Sequence, residues 1–351
     1  MFLKKFLLVL ALIFSGEVLA INKSAWDNNN DPNLITSDTN TTFEYNFQNL
    51  PLEGQLDFTP WADTYWPSFQ RGIANRWYGN TNVHVMPYKN KVMSMSNKDL
   101  KKLSPAEKYD IFVGDYKYSL TKSELDRTSP KDPQWEGLCH GWAMAALLWK
   151  EPNSVIMENE DGIKIPFGAS DIKALLIYLQ ANSDTKEYMA GTRCEQDLTV
   201  ISFKDRDDAC MDINAGAFHV ILTNRVGILK KGFVMDVDTG KEVWNQPVYA
   251  YTTKIIKTHG PTKNAAEGTV KEIQVQTTVT YTGEIAPSFE SPLENPVQRE
   301  YKYILELNSD DRIIGGKWIS EDYPDFIWVQ KKAKFTEQLK ALEEIYNSSI
   351  H

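Results

Sequence analysis

The sequence predicts an α+β fold. Helix-forming apolar segments lead, a set of alternating strands follows, and the two patterns do not interleave. Strands that follow one another without intervening helices pair antiparallel, so segregated layers are expected rather than a parallel sheet wrapped by crossover helices.

The chain opens on Lys4 and Lys5, an apolar run from Phe6 to Phe14 and the small-residue ending Val18-Leu19-Ala20. This pattern predicts an export signal over residues 1–20, cleaved after Ala20, and a secreted or periplasmic protein. The run is too short to span a bilayer, and no later stretch reaches the roughly 20 apolar residues that a membrane helix requires. Residues 21–50 are rich in Asn, Asp and Thr and predict a loosely ordered arm. Residues 51–130 read as an aromatic-rich helical region, in which Trp61, Tyr65, Trp66, Phe69, Trp77 and Tyr78 crowd one segment. Within it, Ser104-Pro105-Ala106-Glu107 has capping-box spacing with proline at the first helical position.

Residues 131–351 are the expected catalytic core. Ala143, Ala145, Ala146, Leu147 and Leu148 predict a helix over 139–150 that Pro152 stops. Ser170 and Asp171 cap a second buried helix. Strands are expected over 217–222, 233–237, 273–281 and 301–307, and an amphipathic helix over 335–346.

Lys and Arg number 38 against 47 Asp and Glu, a net charge of −9 that becomes −10 when the leader takes away Lys4, Lys5 and Glu17. Such a balance argues against a surface that tracks nucleic-acid phosphates. There is no heptad or short-period repeat to suggest a coiled coil or solenoid. The 3 cysteines of an exported chain leave one thiol over after pairing. A Cys194–Cys210 disulfide with Cys139 free is expected, because Cys139 abuts an apolar helix while the other two flank a polar stretch.

Cys139 falls at the start of its helix, where unsatisfied N–H groups and the helix dipole favour a thiolate. Gly137 and Gly141 flank it and are expected to let a substrate approach the backbone. Downstream, a two-residue turn at Gly227-Ile228 sets a hairpin register in which His219 faces Asp236 across paired strands, close enough for a carboxylate to orient an imidazole. A longer turn through Lys230-Lys231-Gly232 would substitute Asp238. Cys139, His219 and Asp236 in that order match a papain-like triad for acyl transfer. Gln134 sits roughly where such enzymes keep an oxyanion-hole amide, although an exposed loop glutamine accounts for it equally well. Trp135, Trp142, Trp66 and Trp244 are candidates for the walls of a substrate groove. His140 points elsewhere, since consecutive helical residues diverge by about 100°. Asp205, Asp207, Asp208 and Asp212 form an acidic cluster that could take calcium but lacks an EF-hand pattern; no cofactor is otherwise required. A zinc site of Cys139, His140 and His219 lacks a fourth ligand.

Gly137-Leu138-Cys139-His140-Gly141-Trp142-Ala143, Ala217-Phe218-His219-Val220 and Val243-Trp244-Asn245-Gln246-Pro247-Val248 resemble the transglutaminase elicitor family. Thr64-Tyr65-Trp66-Pro67, Ser104 to Asp110, Ser170 to Leu175 and Pro324-Asp325-Phe326-Ile327-Trp328 extend the resemblance over most of the mature chain. It implies a papain-like transglutaminase core that joins a protein glutamine to a primary amine, lysine or polyamine, with Cys139, His219 and Asp236 at the triad positions. The leader and compact size suit a bacterial member. Tyr249-Ala250-Tyr251 departs from the segment that plants recognise, so elicitor behaviour is not implied. Hydrolysis by the same triad, as a cysteine peptidase or glutamine deamidase, and a non-catalytic binding protein that exposes Trp244 to Val248 are the competing readings.

Overall fold

Ser104 starts its helix as its spacing demands: its Oγ accepts from Glu107 N at 3.2 Å, and Glu107 Oε2 accepts from Ser104 N at 2.9 Å. The computed structural model describes residues 25–36, 41–79, 85–193, 212–238, 240–291, 294–335 and 337–350. The leader, Cys194, Cys210, Asp205, Asp207 and Asp208 lie outside these residues.

The helical layer contains α1 (Lys89–Met93), α2 (Asn97–Leu100), α3 (Pro105–Phe112), α4 (Ser119–Arg127), α5 (Cys139–Leu148) and α6 (Ala169–Ala181). Helix α6 begins two residues earlier than a cap at Ser170 implies, with Gly168 at the N-cap and Asp171 bonded back to Gly168 N at 2.7 Å. The same carboxylate takes Lys108 Nζ from α3 at 2.6 Å and Trp77 Nε1 at 2.9 Å. A buried Lys–Asp pair is tolerable only with such extra partners. Helices α5 and α6 touch at Gly141, where an added Cβ would lie 2.5 Å from Ile177 O.

The sheet has 8 strands in the order β4-β10-β5-β6-β7-β8-β9, with β1 also pairing to β6. These are β1 (Glu53–Gln55), β4 (Glu187–Gly191), β5 (Phe233–Asp236), β6 (Asn245–His259), β7 (Lys271–Thr282), β8 (Pro296–Leu307), β9 (Ile313–Trp318) and β10 (Phe326–Gln330). Every pairing is antiparallel. A small separate hairpin joins β2 (Val155–Glu158) to β3 (Lys164–Phe167). The expected strands at 233–237, 273–281 and 301–307 are present as β5, β7 and β8.

Residues 217–222 are not a strand. They belong to helix α7 (Ala215–Leu222), N-capped by Asn214 Oδ1 on Gly216 N at 2.8 Å, and they run on into a π-helical stretch over Thr223–Ile228 where the Gly227 turn was expected. The run Ala-Phe-His-Val-Ile-Leu is β-branched and apolar enough to read as a strand, but an Asn cap and burial on every side select a helix. It packs so closely on β9 that a Cβ on Gly216 would lie 2.3 Å from Gly315 O.

The expected loose arm is also corrected over its described residues, 25–36 and 41–50. Ile35, Phe43, Tyr45, Phe47 and Leu50 are buried in the sheet core, and Asn46 bridges to Arg312. The closing helix is shorter and later than expected, at α8 (Leu342–Ser349).

Two apolar cores result. One fills the face of the sheet with α7 and the former arm; the other lies among the helices. Helix α5 belongs to both, giving Ala143 and Met144 to the first and Trp142, Ala145 and Ala146 to the second.

Candidate functional site

Cys139 is the first residue of α5, and the turn before it is strapped by the segment from Tyr65 to Ser68: Leu138 N donates to Tyr65 O at 2.6 Å and Ser68 N to Glu136 O at 2.8 Å. The space beside Gly137 is therefore filled by protein, since an added Cβ would lie 2.7 Å from Tyr65 O and 3.1 Å from Pro67 Cα. Gly137 and Gly141 admit neighbouring segments of the chain, not a substrate as the sequence suggested.

The thiol points toward the start of β6. Its Sγ lies 3.5 Å from Val243 O, an acceptor for the S–H, and receives Asn245 Nδ2 at 3.7 Å. Strand β5 pairs with β6 so that Asp236 stands opposite Asn245, and directly opposed residues share a sheet face. Asp236 Oδ1 accepts from Trp244 N at 2.9 Å and Asp238 N at 3.2 Å, while its buried Oδ2 has no partner. Burial pushes the Asp236 carboxyl up to about 7. Burial also raises the Cys139 thiol, against the hydrogen bonds from Asn245 and together with the charges of Asp236 and Glu284. The side chain of Asn245 is itself oriented, because Trp328 Nε1 on β10 donates to its Oδ1 at 2.7 Å.

An aromatic pair flanks the segment that meets the thiol. Trp244 meets the Tyr65 ring edge-on at 5.4 Å between centroids and donates its Nε1 to Glu242, and the Tyr65 hydroxyl donates to Gln134 O at 2.5 Å. Cys139 is only 5 % exposed.

His219 does not stand opposite Asp236. Asn245 holds that position, and His219 sits on α7, fully buried, with Nδ1 bonded to Tyr303 Oη at 2.8 Å, its ring stacked on Phe47 and its Nε2 unpartnered. Its hydrogen bonds reach neither Cys139 nor Asp236, and burial alone lowers its pKa, to about 3. A neutral imidazole in an apolar core, tied to a tyrosine, has the surroundings of a packing residue. His219→Ala is expected to cost about 2–4 kcal/mol by leaving a cavity and an unpaired Tyr303 hydroxyl, read as a lower denaturant midpoint. Loss of turnover in a variant that unfolds at the wild-type midpoint would return the histidine to the chemistry.

The remaining expected groups divide. Gln134 is exposed and offers its backbone carbonyl to Tyr65; Trp135 is half-buried beneath Arg193, whose guanidinium carbon lies 5.5 Å from the ring centroid. Trp142 is fully buried; Trp66, buried too, lines a cavity of about 560 Å³ with Thr64, Phe69, Gln70 and Trp77, a lining that does not include Cys139. Trp244 does line the site. His140 is lowered by burial and by the charge of Arg127. Asp238 is half-buried, and its side chain caps Gly240 N. Among the described residues no cluster of three or more His, Cys, Asp or Glu has the geometry to hold a metal ion; three of the four cluster aspartates fall outside those residues. The segment expected as an exposed recognition loop is interior: Asn245, Gln246, Pro247 and Val248 are all buried at the start of β6. Sequence reasoning missed Asn245 and Trp328 as site residues, although both stand inside quoted motifs.

A thiol at a helix start, set against a carboxylate and an amide on adjacent antiparallel strands, defines an α+β protein with a candidate acyl-transfer site. The pattern of the Transglutaminase elicitor family matches residues 122–341, and the chain belongs to that family. The fold is similar to the crystal structure of the GP42 transglutaminase from Phytophthora sojae, at a TM-score of 0.70 and 20 % identity over 92 % of this chain and 98 % of that one. No curated protein matches the sequence. No helix among the described residues is long and apolar enough to cross a membrane.

Proposed function

We propose that the protein is an exported protein-glutamine γ-glutamyltransferase in which Cys139 is the nucleophile and Asp236 its proton acceptor. The observation that carries this reading is a buried helix-start thiol met by Asn245, which stands opposite Asp236 in the sheet, the Asp236 carboxyl having an unpartnered oxygen and being pushed by burial up to about 7. The layout is papain-like in placing the nucleophile helix before an antiparallel sheet, with an aspartate where papain-like sites use an imidazole.

Asp236 takes the thiol proton, and the sulfur attacks the carboxamide carbon of a glutamine side chain. The C–N bond breaks, the proton passes to the departing nitrogen, and ammonia leaves a γ-glutamyl thioester. A primary amine then attacks the thioester carbon; its lost proton returns through Asp236 to the sulfur as the C–S bond breaks. The products are one isopeptide bond, one ammonia and a free thiol.

Cysteine peptidase and glutamine deamidase chemistry would share the thioester and differ in using water as acceptor. The burial of the thiol, 5 % exposed and set against Val243 O, favours an acceptor that can displace water. Purified protein, assayed with and without calcium, is expected to incorporate a fluorescent primary amine into casein, releasing ammonia without shortening the chain. Ammonia without incorporation converts the reading to deamidase, and new chain termini convert it to peptidase.

A further inference from the structure

The indole N–H of Trp328 can only donate, so the side-chain atom of Asn245 that it meets at 2.7 Å must be the carbonyl oxygen. The amide plane is thereby fixed, and the NH2 end is the one turned to Cys139 Sγ at 3.7 Å. All three groups are nearly dry, with Cys139 5 %, Asn245 3 % and Trp328 3 % exposed. A charge on sulfur in such a place has little water to solvate it and depends on protein N–H donors. The sulfur's other polar neighbour, Val243 O at 3.5 Å, is an acceptor, which suits the neutral S–H and opposes the thiolate.

We propose that Asn245 carries the negative charge of Cys139 during thioester formation through its oriented N–H groups, and that Trp328 is the positioning residue that keeps its amide from flipping. This inference rests on the reading of Cys139 as the nucleophile. Val243 O holds the resting thiol, and Asn245 holds the ionised one. The backbone N–H of Asn245 adds to the same effect, favouring the thiolate alongside the side chain. If the amide flipped, Oδ1 would face the sulfur and repel the charge that Nδ2 receives. Trp328 prevents this from a third strand: β10 pairs with β5 through Trp328 and Val234, while β5 pairs with β6 through Asp236 and Asn245. The Asp-Phe-Ile-Trp and Trp-Asn-Gln-Pro motifs, far apart in the chain, thus meet at one hydrogen bond.

The test is a titration of the thiolate by its ultraviolet absorbance near 240 nm, each protein read against the same protein with Cys139→Ala so that every other chromophore cancels. Asn245→Ala is expected to raise the ionisation midpoint by about one pH unit. Trp328→Phe, which keeps a ring and removes only the N–H, is expected to move it the same way, and kcat for amine incorporation should fall at constant KM in both. A folded Trp328→Phe protein whose thiol midpoint equals the wild type overturns the positioning role; an unmoved midpoint in folded Asn245→Ala overturns the whole inference. The titration uses no substrate, so a shifted midpoint without wild-type amine transfer sinks the transglutaminase reading and leaves this one standing.

Discussion

Cys139→Ala is expected to lower amine incorporation by about 10⁴-fold or more while moving the melting temperature by only a few degrees. Removal of a nucleophile from a covalent mechanism leaves only the rate that binding and orientation supply. The structural cost is small because one buried sulfur is lost, and its contacts with Val243 O and Asn245 Nδ2 are long and weak. Among the described residues the free cysteine is Cys139, so no second thiol there can substitute. Residual incorporation within about tenfold of the wild type would show that the thioester does not form on this residue.

Asp236→Asn is expected to separate activity from stability in opposite directions. An amide cannot accept the thiol proton, so turnover should fall by about 10²–10⁴-fold, the usual contribution of a positioned base. The wild-type rate should rise with pH through about 7, where the carboxyl ionises. Stability runs the other way. The folded carboxyl titrates near 7 and the unfolded one near 4, so between those values the folded state holds more protons and stability falls as pH rises. Replacement by asparagine removes that loss, and the variant should be the more stable protein at pH 8, by at most about 4 kcal/mol. His219 contributes the opposite slope: its folded pKa near 3 lies below the unfolded value, so stability is lost as pH falls below about 6.5. Asp63, pushed up to about 7, and Asp110, pushed up to about 6, share the slope of Asp236 and remain in the variant, so the quantity to read is the wild-type minus variant difference in denaturant midpoint, which should fall as pH rises from 4 to 8. A wild-type and variant pair with parallel profiles would show that Asp236 is ionised throughout and is not a base poised near neutrality.

The parts of this fold written in local chemistry were legible in the sequence. Ser104 to Glu107 announces a helix start by side chains that bond within one turn, and 273–281 announces a strand by alternation along one paired segment. Cys139 at a helix start was readable for the same reason. The parts decided by tertiary contact were not. Ala217 to Leu222 is apolar at every position, and periodicity cannot distinguish a buried helix from a buried strand. One error of that kind propagated, because the register that paired His219 with Asp236 presumed a strand. The correct partner of Asp236 is Asn245, reached by a different hairpin whose loop begins after Asp236 itself. Asp236 was reached through a wrong partner and stands opposite Asn245, whose side chain reaches the thiol. Trp328 was invisible as a site residue because its role depends on β10 lying between β4 and β5, a topology without any local signature.

The double membership of α5 bears on how the molecule comes apart. A helix that gives Ala143 and Met144 to one apolar core and Trp142, Ala145 and Ala146 to the other cannot leave either without opening both. Partial unfolding of either layer that frees α5 is therefore costly, and the two layers are bound into one cooperative unit. Cys139, at the first turn of that helix, is expected to become accessible only when that unit opens.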